Sequence, residues 1–202
     1  MNLHNEKAYP KLCMQLLSTL EKSLPNHLTY HTLEHTIDVA NVCNAYIEHY
    51  NIEENDAKLM RIAAIGHDFG YIISPIEHEE RSIKSLSHIL PSILTPEEIA
   101  LVNGMIRATK VPQHPTNFME EIIADADLDY LGRTDYDLLS GGLYKEFQYY
   151  DIVNNQEEWL DLQIKFLENH KFHTSFACEF RKPLKQQKIK ELKEKRKALE
   201  CQ

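Results

Sequence analysis

Apolar residues recur along this chain at helical spacing, and the periodicity predicts a succession of helices. Leu12, Leu16, Leu17 and Leu20 draw one stripe on a first helix over about 6–23, ended by Pro25-Asn26. A second helix over about 32–50 carries Leu33, Ile37, Ala40 and Val42. A third over about 55–69 carries Leu59, Ile62, Ala63 and Ile65 and runs into His67-Asp68. Phe69-Gly70-Tyr71 breaks out of it, Ser74-Pro75 marks a loop, and a fourth helix over about 78–90 is closed by Pro91. Thr95-Pro96-Glu97-Glu98 is a start signal, with Thr at the N-cap, Pro in the first turn and Glu at N3. Ile99, Val102 and Ile106 then face one side of a fifth helix. Pro112, Pro115 and Asn117 form a loop before a sixth, over about 117–130. Two more helices follow, the second with Trp159, Leu160, Ile164, Phe166 and Leu167. A basic helix over about 176–200 comes last, packed by Leu184, Ile189 and Leu192. No alternating strand pattern, repeat or low-complexity tract appears. The expected fold is all-α, a compact single-domain helical bundle.

Composition agrees. Only 6 Gly and 8 Pro in 202 residues leave few turns and long elements. Forty-three per cent hydrophobic residues with 26% charged is a globular balance, not a disordered one. Cys13, Cys43, Cys178 and Cys201 form no C-x-x-C pair and read as free thiols of a reducing compartment. No leader-like segment and no stretch of membrane-spanning length is present, so the expectation is a cytoplasmic protein with no membrane partner.

Charge changes the picture of partners. The net charge is −9, but residues 181–202 hold nine Lys/Arg against three Glu, leaving thirteen basic and twenty-eight acidic groups elsewhere. An acidic body repels phosphate chains, so no nucleic-acid polymer is expected as partner. A small anionic substrate would need a local positive centre, which a bound metal supplies. The basic terminal helix reads as a solvated surface helix. A homo-oligomer stays open.

The candidate chemistry lies in three stretches: Tyr30-His31 with His35, then His67-Asp68, then Asp125-Ala126-Asp127. Imidazoles and carboxylates at these intervals can be gathered by packed helices around a divalent ion, and nitrogen–oxygen ligation with water in the shell suits hydrolysis of phosphate esters. Each piece has a plainer reading. His31 and His35 share a helical face only if the helix already includes His31, and otherwise take separate jobs or serve as surface or capping groups. His67-Asp68 ends an apolar run and must be compensated by metal, a salt bridge or helix-end hydrogen bonds. Asp125, Asp127 and Asp129 repel one another unless a cation is near, and Asp125 competes with Asp127 as ligand.

In order and spacing these residues resemble the HD superfamily of metal-dependent phosphohydrolases, whose signature is His…His-Asp…Asp on an all-helical core. The likeness covers about residues 28–133, followed by a helical extension over 134–180 and the basic helix over 181–202. Tyr30-His31-Thr32-Leu33-Glu34-His35 also looks like the first metal motif of class I cyclic-nucleotide phosphodiesterases. That motif has Asn where Thr32 stands here, and the downstream Gln and Phe of those enzymes are not found. Small bacterial-type HD proteins are similar at His78-Glu79-Glu80-Arg81-Ser82 and at Ala126-Asp127-Leu128-Asp129-Tyr130-Leu131-Gly132.

The resemblance implies His35, His67, Asp68 and Asp127 as metal ligands. It implies His31 as the acid that protonates the leaving oxygen, and Asp68 as a catalytic group that orients water or bridges to a second ion. It implies one or two divalent ions, with Mn, Fe, Mg, Zn and Ni undistinguished, and a small phosphorylated substrate, a nucleotide or a phosphodiester. His78, Glu79 and Asp125 are candidates for a second metal or for phosphate. Arg81, Lys110 and Arg133 are candidates to neutralise phosphate charge. His88 and His114 are weaker candidates. A nucleotide-binding sensor that holds metal without turnover, and a di-iron oxygenase, are the alternatives.

Overall fold

The computed structural model describes residues 2–200, with Glu200 described by its backbone alone. The chain folds as two compact units, Met1–Asp127 and Leu128–Gln202. The first contains α1 (Lys11–Ser23), α2 (Leu33–His49), α3 (Glu54–Gly66), α4 (His78–Leu86), α5 (Pro96–Ala108) and α6 (Phe118–Asp127). The second contains α7 (Tyr136–Tyr149), α8 (Gln156–Asn169), α9 (Ser175–Phe180) and α10 (Lys182–Glu200). No strand occurs among the described residues, so the fold is all-α. No described helix is long and apolar enough to cross a membrane.

In the first unit α3 is the central element. Eight of its residues in unbroken sequence, Leu59 to Gly66, are buried, as is Ala57, and α1, α2, α4, α5 and α6 all pack against it. A helix apolar on every side needs such a surround. Its one buried charge, Arg61, is satisfied inside the unit. Nε donates to Asn44 Oδ1 at 3.0 Å, Nη1 reaches Glu54 at 3.2 Å, and the guanidinium lies over the Tyr9 ring.

Several element boundaries differ from the periodicity. The expected first helix over 6–23 is divided, with a 3-10 turn at Glu6–Ala8 and α1 beginning only at Lys11. Pro10 is the cause: it holds the preceding Tyr9 extended and is itself extended, at ψ 148. The third helix stops at Gly66 and Phe69–Ile72 forms a 3-10 turn. The fourth ends at Leu86, and the sixth ends at Asp127 and passes into a 3-10 turn at Asp129–Gly132. Thr95 starts α5 with the expected reciprocal capping box to Glu98.

The basic helix is two helices, α9 and α10, parted at Arg181. Pro183 lies in the first turn of α10, where its missing N–H costs nothing, but it would leave a carbonyl unpaired inside one continuous helix. The inner stripe of α10 also differs from the expected one. Leu184 is 40% exposed, while Lys185 is buried beside Ile189 and Leu192. Lys185 is tolerated because its ammonium donates to the carbonyls of Leu167 and His170, where α8 ends and carbonyls lack helical partners. Burial pushes its pKa down to about 8. Other cations of α10 meet acids within this unit: Lys188 with Asp137 at 3.0 Å, Lys193 with Glu168 at 2.5 Å and Arg196 with Asp161 at 2.8 Å. Cys13, Cys43 and Cys178 are free thiols, and Cys201 lies outside the described residues.

Candidate metal centre

Three helix ends deliver the cluster. Thr32 is the N-cap of α2 and its hydroxyl accepts from the His35 backbone N–H at 3.4 Å, so His35 stands in the first turn and His31 lies before the helix. The two histidines are therefore not an i, i+4 helical pair. α3 stops at Gly66 and presents His67 and Asp68 on the turn that follows. The last residue of α6 is Asp127. Asp125, two positions earlier and about 200° around the helix, is wholly buried and belongs to a different face.

The donor atoms converge. His35 Nε2 lies 3.4 Å from Asp68 Oδ2 and 3.2 Å from Asp127 Oδ1. His67 Nε2 lies 3.2 Å from Asp68 Oδ2 and 3.4 Å from Asp127 Oδ1. Ligands bonded at about 2.1 Å and separated by angles between square and tetrahedral stand about 3.0–3.4 Å apart. All four measured edges fall in or at the edge of that range. His35, His67 and Asp127 each offer an atom within 4.8 Å of the other two.

The electrostatics ask for a cation. His67 Nδ1 lies 2.9 Å from the Ala64 carbonyl, which can only accept. That fixes the proton on Nδ1 and leaves the Nε2 lone pair of the neutral ring aimed at two carboxylates. His35 Nε2, His67 Nε2 and Asp68 Oδ2 are all buried without a hydrogen-bond partner. Such atoms carry a desolvation cost that a proton or a metal must relieve. Without metal, burial pushes the His67 pKa down but the carboxylates of Asp68 and Asp127 outweigh it and hold it well above its ordinary value. Burial likewise opposes ionisation of Asp68 and Asp127, yet the imidazoles beside them hold both carboxyls well below the usual range. The residues fit a divalent ion: His35, His67 and Asp127 gather two imidazole nitrogens and a carboxylate oxygen, under-compensated, and Asp68 Oδ2 lies against both imidazoles.

A second group adjoins the first. His78 opens α4 and its Nε2 lies 3.3 Å from Asp68 Oδ1 and 3.4 Å from Glu79 Oε1. Its Nδ1 is 3.2 Å from the Pro75 carbonyl, so Nε2 again faces acids. Burial lowers the His78 pKa, but Asp68 and Glu79 raise it on balance. Glu79 is buried at 5% exposure. Asp68 thus turns one oxygen to each group.

Two small residues hold α4 against the His-Asp turn. Ser82, fully buried, donates to the His67 carbonyl at 2.6 Å and accepts from the Gly70 N–H at 2.7 Å. Gly70 allows the approach, since a Cβ there would stand 2.0 Å from the His78 carbonyl oxygen. Glu77, just before His78, adopts a left-handed conformation at φ 52. Ser82 was legible only as the last residue of the His78–Ser82 segment similar to small HD proteins. Tyr71 was legible only as part of a helix-breaking triplet, yet its ring stacks on His31 with centroids 4.1 Å apart and its hydroxyl is 3.0 Å from His31 Nε2.

Arg81 spends Nε on the Ile76 carbonyl at 2.8 Å. Lys110, His88 and His114 are exposed. Arg133 directs its guanidinium at Asp135 and Asp129 within the second unit. Asp129 is 1% exposed and also takes Arg181 at 2.7 Å, so that carboxylate is neutralised by the chain itself.

A family model described as HD domain matches residues 32–135, just over half of the 202-residue chain. The chain belongs to the HD-domain family, and the match spans every one of the four converging donors. A search of the curated proteins finds no match. HD domains are in general metal-dependent phosphohydrolases, and what this chain does has to be argued from its site.

Proposed function

We propose that this chain is a metal-dependent phosphohydrolase that uses water to cleave a small phosphate ester, a nucleotide or a phosphodiester. The observation that carries the reading is the convergence of His35 Nε2, His67 Nε2, Asp68 Oδ2 and Asp127 Oδ1 at 3.2–3.4 Å. A divalent ion held by these four residues supplies Lewis acidity, which draws a water's pKa toward neutrality and polarises a phosphoryl oxygen.

The chain's own groups divide the rest. His67 is fixed by Ala64 with its lone pair inward, so it enters the site already in the tautomer a ligand needs. Asp68 reaches both groups of side chains, which suits it to orient the attacking water or to be shared with a second ion placed by His78 and Glu79. His31 lies beside the cluster and outside the ligand set, with its ring 5.8 Å from that of His35. It holds the proton that the departing oxygen needs. The nearby acids are spent on imidazoles, and a phosphate's negative charge is met by the ion.

Metal analysis of the purified protein coupled to a screen of nucleotides, cyclic nucleotides and dinucleotides tests the reading. The expected outcome is near-stoichiometric divalent metal and release of a phosphate or nucleotide product. Thermal stabilisation by a nucleotide with no product formed would instead make the chain a sensor.

A further inference from the structure

We infer that Tyr71 is a positioning residue for the acid His31, and that it sets the protein's ability to cleave esters with poor leaving groups. The inference rests on the hydrolase reading above. His31 precedes α2, outside the helical hydrogen-bond ladder that orients His35. Its ring orientation has to come from neighbours. Tyr71 supplies a face: the two rings are within 17° of parallel with centroids 4.1 Å apart. Its hydroxyl adds a polar contact to Nε2 at 3.0 Å. The same phenol packs on His78 at 4.4 Å, so one buried ring sets the spacing of two imidazoles whose centroids are 6.3 Å apart.

Tyr71 is itself rigidly placed. It lies on the 3-10 turn Phe69–Ile72 directly after Asp68, and its N–H donates to the Asp68 carbonyl at 3.0 Å. The turn is clamped to α4 through Gly70 and Ser82. An aromatic on this turn therefore relays the position of the His-Asp turn to a histidine from another part of the chain. An acid must be within reach of the oxygen it protonates, and small displacements cost rate. The cost appears only where protonation matters. A p-nitrophenolate departs without help, whereas an alkoxide does not.

The test compares Tyr71→Phe, which keeps the face and removes the hydroxyl, with Tyr71→Leu, which removes both. Each is assayed, metal-loaded, on p-nitrophenyl and ethyl esters in monoester and diester form. Expected for Tyr71→Leu is a fall in kcat on the ethyl ester of about 30-fold or more. The same variant should keep p-nitrophenyl turnover within about threefold, with KM unchanged and the ion at His35, His67 and Asp127 retained. Tyr71→Phe should fall between it and the parent. In the NMR spectrum of Tyr71→Leu, the His31 ring protons should lose the upfield shift that a stacked phenol imposes. Equal loss on both esters, or loss on neither, overturns the role of Tyr71 while parental hydrolysis leaves the hydrolase reading standing. If the parent protein cleaves no ester in either form, the hydrolase reading itself falls and the inference with it.

Discussion

Asp127 and Asp129 sit two residues apart, one half-buried and one buried, and show two ways of compensating a carboxylate. Asp129 is 1% exposed and meets Arg181 at 2.7 Å and Arg133 at 3.7 Å, so its charge is balanced by guanidinium groups of fixed protonation. Asp127 instead faces two imidazole nitrogens at 3.2 and 3.4 Å, whose neutral forms offer lone pairs and no positive charge. One arrangement is complete as folded. The other is complete only with a proton or a metal. Burial alone does not distinguish structure from function here; the kind of partner does.

The largest effect that can break this comparison is on activity. Asp127→Asn preserves volume but weakens the ligand set, and should lower kcat/KM at least about 1,000-fold, or about 4 kcal/mol, while metal content drops. Stability of the metal-free protein should change by about 1 kcal/mol or less, measured by urea unfolding. Asp129→Asn should do the reverse. It strands Arg181 and should cost about 2–3 kcal/mol of stability, less than a wholly buried pair because Arg181 keeps 26% of its side chain in solvent. Metal affinity should stay near the parent's. Two variants that both lost metal and stability to the same degree would erase the distinction.

The same pair shows how far a sequence carries. The all-α fold was legible because each helix has an apolar stripe and few Gly or Pro interrupt it. The order His35, His67-Asp68, Asp127 was legible as a resemblance to the HD superfamily, and His67-Asp68 and Asp127 also because each follows a buried apolar run at a helix end. Choosing Asp127 over Asp125 was not, since spacing of two on a helix says the faces differ but not which one looks at the histidines. Periodicity also chose Leu184 for the inner face of α10, where Lys185 is buried instead. That choice depends on carbonyls of α8 that no local pattern announces. The contacts of Tyr71 and Ser82 were hidden for a similar reason. Their partners are His31, Gly70 and His67, and only the fold brings α4 against the His-Asp turn.

A middle-sized effect probes that clamp. Ser82→Ala leaves the buried His67 carbonyl and Gly70 N–H without their side-chain partner, which should cost about 1–3 kcal/mol. Gly70→Ala is harsher locally, because the new Cβ meets the His78 backbone at 2.0 Å and α4 must move. Both should weaken metal retention indirectly through His67 and His78, readable as a higher metal dissociation constant by competition with a chelator. Unchanged metal affinity in both variants would show that the His-Asp turn holds its geometry without α4.

The smallest expected effect is on pH dependence, and its sign follows from what replaces the missing charge. In metal-free protein His67 has a raised pKa, so its proton contributes stability that is complete below the ordinary imidazole value and fades as pH rises through the raised one. Asp68 and Asp127 have lowered pKa values, so their contribution holds above the usual carboxylate range and fades only in strong acid. A metal takes the place of the His67 proton, so its binding releases that proton and strengthens with rising pH. The melting temperature of metal-loaded minus metal-free protein should therefore widen by about 3 °C per pH unit through the neutral range, one proton's worth of linkage. Asp127→Asn should flatten this slope, since it removes one of the carboxylates that hold the proton on His67. Asp129→Asn should leave the slope intact, because Arg181 and Arg133 keep their charge throughout. A melting-temperature difference that does not change with pH in the parent protein would mean that His67 gives up no proton on metal binding and is not a ligand.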